Sequence, residues 1–130
     1  MIYLDTHVVV WLYAGDKRKL SKDGAMLIND NELLISPIIQ LELQYLLEIK
    51  RITKSANTIL KDLSKRIGLK TCQKPFEDVI KESLKQDWTR DPFDRIIVAQ
   101  AALDKTQLLT KDNTILANYK NACWQFNISI

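Results

Sequence analysis

The sequence predicts an α/β protein with a central parallel sheet, and three features of the chain carry that prediction. Short apolar runs alternate with stretches of helical periodicity, the pattern of strands joined by helical crossovers. Two of those stretches open on a capping residue followed by proline, Ser36-Pro37 and Asp91-Pro92, which marks a helix start. Three Gly and three Pro in 130 residues are too few for a turn-dense all-β fold.

In chain order, Ile2-Tyr3-Leu4 is a first apolar strand that stops at Asp5. Thr6 to Tyr13 reads as a turn into an apolar helix, and Leu33-Leu34-Ile35 is a second buried strand. Ser36 as cap and Pro37 at the first helical position open a helix expected to run to about Lys50. A helix fills Ser55–Arg66, Leu69–Cys72 is a short strand, and another helix covers Pro75–Lys85. Asp91-Pro92 opens a helix through Leu103. Gln107–Leu109 is a strand, Asn113–Tyr119 a short helix and Cys123–Ile128 a last strand. In such sheets the functional crevice lies outside the carboxyl ends of the strands.

Composition narrows the class. Hydrophobic residues make up 46% and charged residues 27%, as in an ordinary globular domain, and residues 1–130 are read as one. The run Val8–Leu12 is too short for a signal peptide, and no stretch approaches the roughly 20 apolar residues of a membrane span. The expected setting is the cytoplasm, without a membrane partner. Cys72 and Cys123 have no zinc-ligand spacing and read as small reduced core residues. A two-histidine, metal-free ribonuclease is excluded because His7 is the sole histidine; packing at the helix start is the better reading of His7. Neither a Gly-rich phosphate loop nor a GxSxG elbow is present.

The net charge of +3 is unevenly spread. Lys50 to Lys74 holds eight basic residues and one acid, Asp62, or +7, which leaves −4 for the remainder. A basic stripe beside an acidic remainder suits a protein that holds phosphates near carboxylates, with Lys61, Lys65 and Arg66 as candidate RNA contacts. Taken alone, a solvated helix face explains the stripe better.

The acids sit where the crevice belongs. Asp5 ends the first strand, Asp112 follows the strand at 107–109, and Asp91 and Asp94 lie in the first turn of a helix. At about 100° per residue, Glu42 falls among Ile38, Leu41, Leu46 and Ile49, opposite Gln40, Gln44 and Glu48. A lone carboxylate there costs several kcal/mol unless it is paired or binds a cation; an ion pair with Arg95 is the structural alternative. Asp94 shares its helix side with Val98 and Ala101, although a dipole contact at the helix start would also account for it. Asp91 is explained by capping alone. Two unit charges about 5 Å apart repel by roughly 3 kcal/mol at an effective dielectric of 20, so a cluster implies protonation or a cation. Oxygen ligands favour Mg²⁺ or Mn²⁺ over zinc, and such clusters commonly carry phosphoryl chemistry.

Four blocks, YLDTHVVVWL at the start, ISPIIQLEL around Glu42, RDPFDRIIVAQA at 90–101 and LLTKD at 108–112, together resemble PIN-domain proteins. Within that family they are similar to VapC-type endoribonuclease toxins of toxin–antitoxin pairs. The blocks keep the family's order and spacing over about a third of the chain. The resemblance implies a three-layer α/β/α fold with a parallel sheet of four to five strands and a Mg²⁺ or Mn²⁺ site. It also implies a homodimer and a cognate antitoxin that blocks the site. Asp5, Glu42 and Asp94 match the first three family acids, with Asp91 beside the third. Asp112 matches the fourth, and Thr6 and Thr110 match the hydroxyl residues beside the first and fourth. On this reading Asp5 and Asp94 hold the principal metal, Glu42 orients the attacking water or completes the site, and Asp112 completes a weaker position. RNA cleavage would leave 5′-phosphate and 3′-hydroxyl ends. A receiver domain or a haloacid-dehalogenase-like phosphatase is disfavoured because Thr6 and His7, not further acids, follow Asp5. A non-catalytic RNA-binding module would be expected to lose acids that this chain keeps.

Overall fold

Each central strand is buried on both of its faces, and this sets the architecture. Ile2, Tyr3 and Leu4 are all 0–1% exposed, and successive strand residues point to opposite sides, so helices must cover the sheet above and below. The computed structural model describes residues 1–125. Its strands are β1 (Ile2–Leu4), β2 (Leu33–Ile35), β3 (Lys70–Thr71), β4 (Leu108–Leu109) and β5 (Ala122–Cys123). They pair in parallel in the order β3-β2-β1-β4-β5. The helices are α1 (Thr6–Ala14), α2 (Lys22–Asp30), α3 (Ile38–Glu48), α4 (Ala56–Ile67), α5 (Phe76–Ser83), α6 (Pro92–Leu103) and α7 (Asn113–Asn118). The expected parallel α/β sheet is present, with five strands.

Tyr3 lies opposite Leu34 on one side and Leu108 on the other, which makes β1 the centre of the sheet. The chain first builds outward from β1 through β2 to β3, then crosses back to β4 on the other side of β1. The strand order therefore reverses between β1 and β4, and open α/β sheets bind ligands at such a switch point.

Several boundaries differ from the expectation. A 3₁₀ turn at Lys17–Lys19 and the helix α2 were not foreseen. Ser21 caps α2 by accepting from Gly24 N–H at 2.9 Å, but glycine in the first turn and few apolar residues mask the helix. Gly24 is there for packing, because a Cβ would meet Ser21 Oγ at 2.9 Å and Leu109 Cδ1 at 3.5 Å. Pro37, not Ser36, occupies the cap position of α3, with φ −56° and ψ −24°; Ser36 Oγ still accepts from Ile38 N–H at 3.3 Å. That helix ends at Glu48, and Lys50 adopts φ +62°. The last strand is Ala122–Cys123; the part of the expected strand from 126 to 128 lies outside the described residues. Both cysteines are free. No helix among the described residues is long and apolar enough to cross a membrane.

Candidate functional site

The carboxyl ends of β1, β2 and β4 set the positions of the candidate acids. Asp5 follows β1 directly and caps α1: its Oδ1 accepts from Thr6 N–H at 2.8 Å. Its Oδ2 accepts from Thr110 Oγ1 at 2.6 Å, and Thr110 is the residue after β4. The hydroxyl of one switch-point strand thus fixes the carboxylate of the other. Asp5 is 6% exposed and both threonines are fully buried. Burial pushes the Asp5 carboxyl up from its ordinary value, opposed by the two hydrogen bonds and by His7.

Glu42 comes from the second turn of α3, and Thr6 Oγ1 donates to its Oε1. Thr6 therefore links the two acids, with its N–H on Asp5 and its hydroxyl on Glu42. Partial burial raises the Glu42 carboxyl, and Asp5 adds to the shift. The surroundings of Glu42 differ in part from the expectation. Leu41 and Ile49 are exposed, and the fully buried residues of α3 are Ile39 and Leu43. The alternative ion pair is absent: Arg95 donates to the backbone carbonyls of Ser83 and Leu84 instead.

Asp94 stands on the first turn of α6, half-buried. No donor within the described residues reaches its carboxylate. Burial first, then the neighbouring charges of Asp91, Asp5, Asp112 and Glu42, push its pKa up to about 7. The four charged neighbours that act on it most are all acids.

Asp91 and Asp112 are exposed and do capping work. Asp91 Oδ1 accepts from the N–H groups of Phe93 (2.9 Å) and Asp94 (3.4 Å). Asp112 Oδ1 accepts from Thr114 (2.8 Å) and Ile115 (3.1 Å). The cap role of Asp91 was read from Asp-Pro; that of Asp112 was missed, although Asp112-Asn113-Thr114 is a cap-like run. Three helix N-termini, those of α1, α6 and α7, thus present acids at one end of the sheet, where the helix dipoles favour negative charge. His7 is exposed in the first turn of α1, its ring 6.2 Å from that of Trp11, and it lowers the pKa of both Asp5 and Glu42.

The donor set is all oxygen, with one carboxylate lacking any donor, and its chemistry suits a hard divalent cation. Among the described residues, no three acidic, histidine or cysteine side chains already enclose such a site. The basic trio divides: Lys61 and Lys65 are exposed, whereas Arg66 pairs with Asp62 at 2.6 Å and reaches the Leu12 and Tyr13 carbonyls that end α1.

The model of the PIN domain matches residues 2–121. The chain belongs to the PIN-domain family. No curated protein sequence matches it, but solved structures share the fold of this PIN domain. A toxin–antitoxin complex from Klebsiella pneumoniae contains a chain of TM-score 0.67 at 18% identity, covering 98% of this chain and 100% of that one. VapBC2 from Rickettsia felis, bound to a DNA fragment from its promoter, gives 0.61 at 20% identity, covering 91% and 93%. VapBC-1 from nontypeable Haemophilus influenzae gives 0.60 at 19% identity, covering 96% and 97%.

Proposed function

We propose that this PIN-domain chain is a divalent-metal-dependent endoribonuclease, the toxin of a VapBC-type toxin–antitoxin pair. The observation that carries the nuclease reading is Asp94, a half-buried carboxylate with no donor among the described residues and with Asp91, Asp5, Asp112 and Glu42 acting on it. Such a group is stable either protonated or beside a cation. The toxin reading draws its support from the sequence blocks and from the toxin–antitoxin complexes that share the fold.

Asp5 and Asp94 would hold Mg²⁺ or Mn²⁺, with Glu42 completing the set and Asp112 offering Oδ2, the oxygen its cap leaves free. The bound ion would neutralise these charges and act as a Lewis acid toward an RNA phosphodiester. Thr110 and Thr6 hold Asp5 in one orientation, so its carboxylate is preorganised. Glu42 keeps Oε2 free of the Thr6 bond, and that oxygen orients the attacking water and takes its proton. In-line attack then leaves 5′-phosphate and 3′-hydroxyl ends. A homodimer would cover the outer side of α3, where Leu41, Tyr45 and Ile49 are 56%, 49% and 44% exposed at four-residue spacing.

Purified protein incubated with RNA tests the reading. Cleavage with Mg²⁺ or Mn²⁺, loss in excess EDTA and loss in Asp5→Asn are expected; undiminished cleavage in chelator would overturn the mechanism. Expression alone should arrest bacterial growth, and co-expression of the cognate antitoxin should relieve the arrest. Harmless expression beside strong cleavage in vitro would leave a nuclease that is not a toxin.

A further inference from the structure

Away from the acidic crevice, two donors reach the sulfur of Cys72 and a third lies beside it. This residue follows β3, where its N–H donates to Ile35 O at 2.9 Å. Tyr3 Oη donates to Cys72 Sγ at 3.0 Å. Lys74 Nζ lies 3.5 Å from Tyr3 Oη and 3.8 Å from the sulfur. A lysine ammonium donating to a phenol that donates to sulfur polarises the whole chain toward Sγ. Gln100 supplies the third donor. Its Oε1 accepts from Ser36 Oγ at 2.9 Å, which leaves the NH₂ end over. That nitrogen is buried in a residue 2% exposed and makes no hydrogen bond. It lies against Cys72 and favours the charged sulfur. Orphaned buried donors are uncommon, and a thiolate is the group that would satisfy this one.

The charged groups around the cluster fit this assignment. Lys74 pairs with Asp104, and Tyr119 is the other titratable group near Tyr3. Asp78, Lys81 and Glu82 of α5 and Lys85 just after it share a cavity of about 400 Å³ with Lys74 and Leu103. Cys72 itself is buried, 9% exposed, and Lys74, whose side chain is 24% exposed, is the neighbour that reaches solvent. Burial pushes both thiols up; at Cys72 the donors outweigh it and the net shift is downward, whereas at Cys123 burial acts alone.

We propose that Cys72 is a reactive thiolate and a modification site for hydroperoxides. The sulfur attacks the outer peroxide oxygen, forming an S–O bond as the O–O bond breaks. Sulfur is oxidised by two electrons to the sulfenic acid, and the peroxide is reduced to an alkoxide or hydroxide. Lys74 gives that leaving group its proton and recovers one from water. Thiolate character and access together decide which thiols oxidise, and Cys72 alone of the two cysteines has the donors.

The unmodified wild-type protein provides its own control, because peptide-resolved mass spectrometry separates Cys72 from Cys123. Alkylation by iodoacetamide across pH should give Cys72 a half-point at least about one pH unit below that of Cys123, near or below the ~8.5 of a free thiol. Lys74→Met should move the Cys72 half-point upward without moving that of Cys123. After treatment with hydrogen peroxide, dimedone should label Cys72 at least about tenfold more than Cys123, the ratio one pH unit of thiolate population gives. A smaller gap in half-point, a smaller labelling ratio, or no response to Lys74→Met would overturn the assignment.

Discussion

Asp94 and Asp91 lie three residues apart on one helix start and have opposite environments. Asp91 spends its Oδ1 on two backbone donors, while Asp94 has no donor among the described residues and four acids acting on it. In metal-free protein the Asp94 pKa of about 7 lies above the ordinary value of 3.8. The folded state then binds more protons than the unfolded chain between those values. Stability must fall as pH rises from about 4 to about 7, and the loss is complete above that. Asp5 and Glu42 shift in the same direction, so Asp94→Asn should make this slope shallower without abolishing it. Urea midpoints across that pH range in EDTA measure the effect. Thr110 acts one step removed, through its 2.6 Å bond to Asp5. Thr110→Val should cost about 10- to 100-fold in cation affinity or cleavage, the usual effect of losing a partner that orients a ligand. The pairing of Asp5 with Thr110 was not legible in the sequence, because 105 residues separate them and only strand order brings them together.

At the scale of elements, the two capped helix starts were legible because Ser-Pro and Asp-Pro act locally. α2 was not, since glycine in its first turn lowers helix propensity and its reason, contact with Leu109, is tertiary. The inward face of α3 was misread in part for a similar reason. Periodicity identifies an apolar stripe but not which part of it another element covers, and Leu41 and Ile49 stay exposed. Asp112 shows one residue serving two ends. Its Oδ1 caps α7 and its Oδ2 is free of hydrogen bonds among the described residues. Asp112→Asn keeps a capping oxygen and should change stability by no more than a few tenths of a kcal/mol, whereas Asp112→Ala should cost about 1 kcal/mol. Thermal melts of the two variants separate the cap from the charge. If cleavage falls equally in both, the charge matters to the reaction; if only the alanine variant is impaired, the cap explains the residue.

Over the whole molecule, reversal of strand order beside β1 gathers acids from distant parts of the sequence at one end of the sheet. The basic segment 50–74 was legible as charge but not as roles. Arg66 braces the end of α1 through Asp62 and two carbonyls, while Lys61 remains exposed. Lys61→Gln should therefore reduce the slope of log affinity for single-stranded RNA against log salt by about 0.7, one phosphate contact. Arg66→Gln should chiefly lower the melting midpoint. Filter binding with the Asp94→Asn protein reads the first effect without cleavage. On the proposed function, Asp94 with Asp5 and Glu42 forms the cation site, while Asp91 is a helix cap. Thermal midpoints at pH 8 with and without Mg²⁺, for wild type, Asp94→Asn and Asp91→Ser, test it most directly. Mg²⁺ should raise the midpoint of wild type and Asp91→Ser, and Asp94→Asn should melt higher than wild type in EDTA yet gain nothing from the ion. An Asp94→Asn protein that keeps the full Mg²⁺ response, or an Asp91→Ser protein that loses it, would contradict the claim.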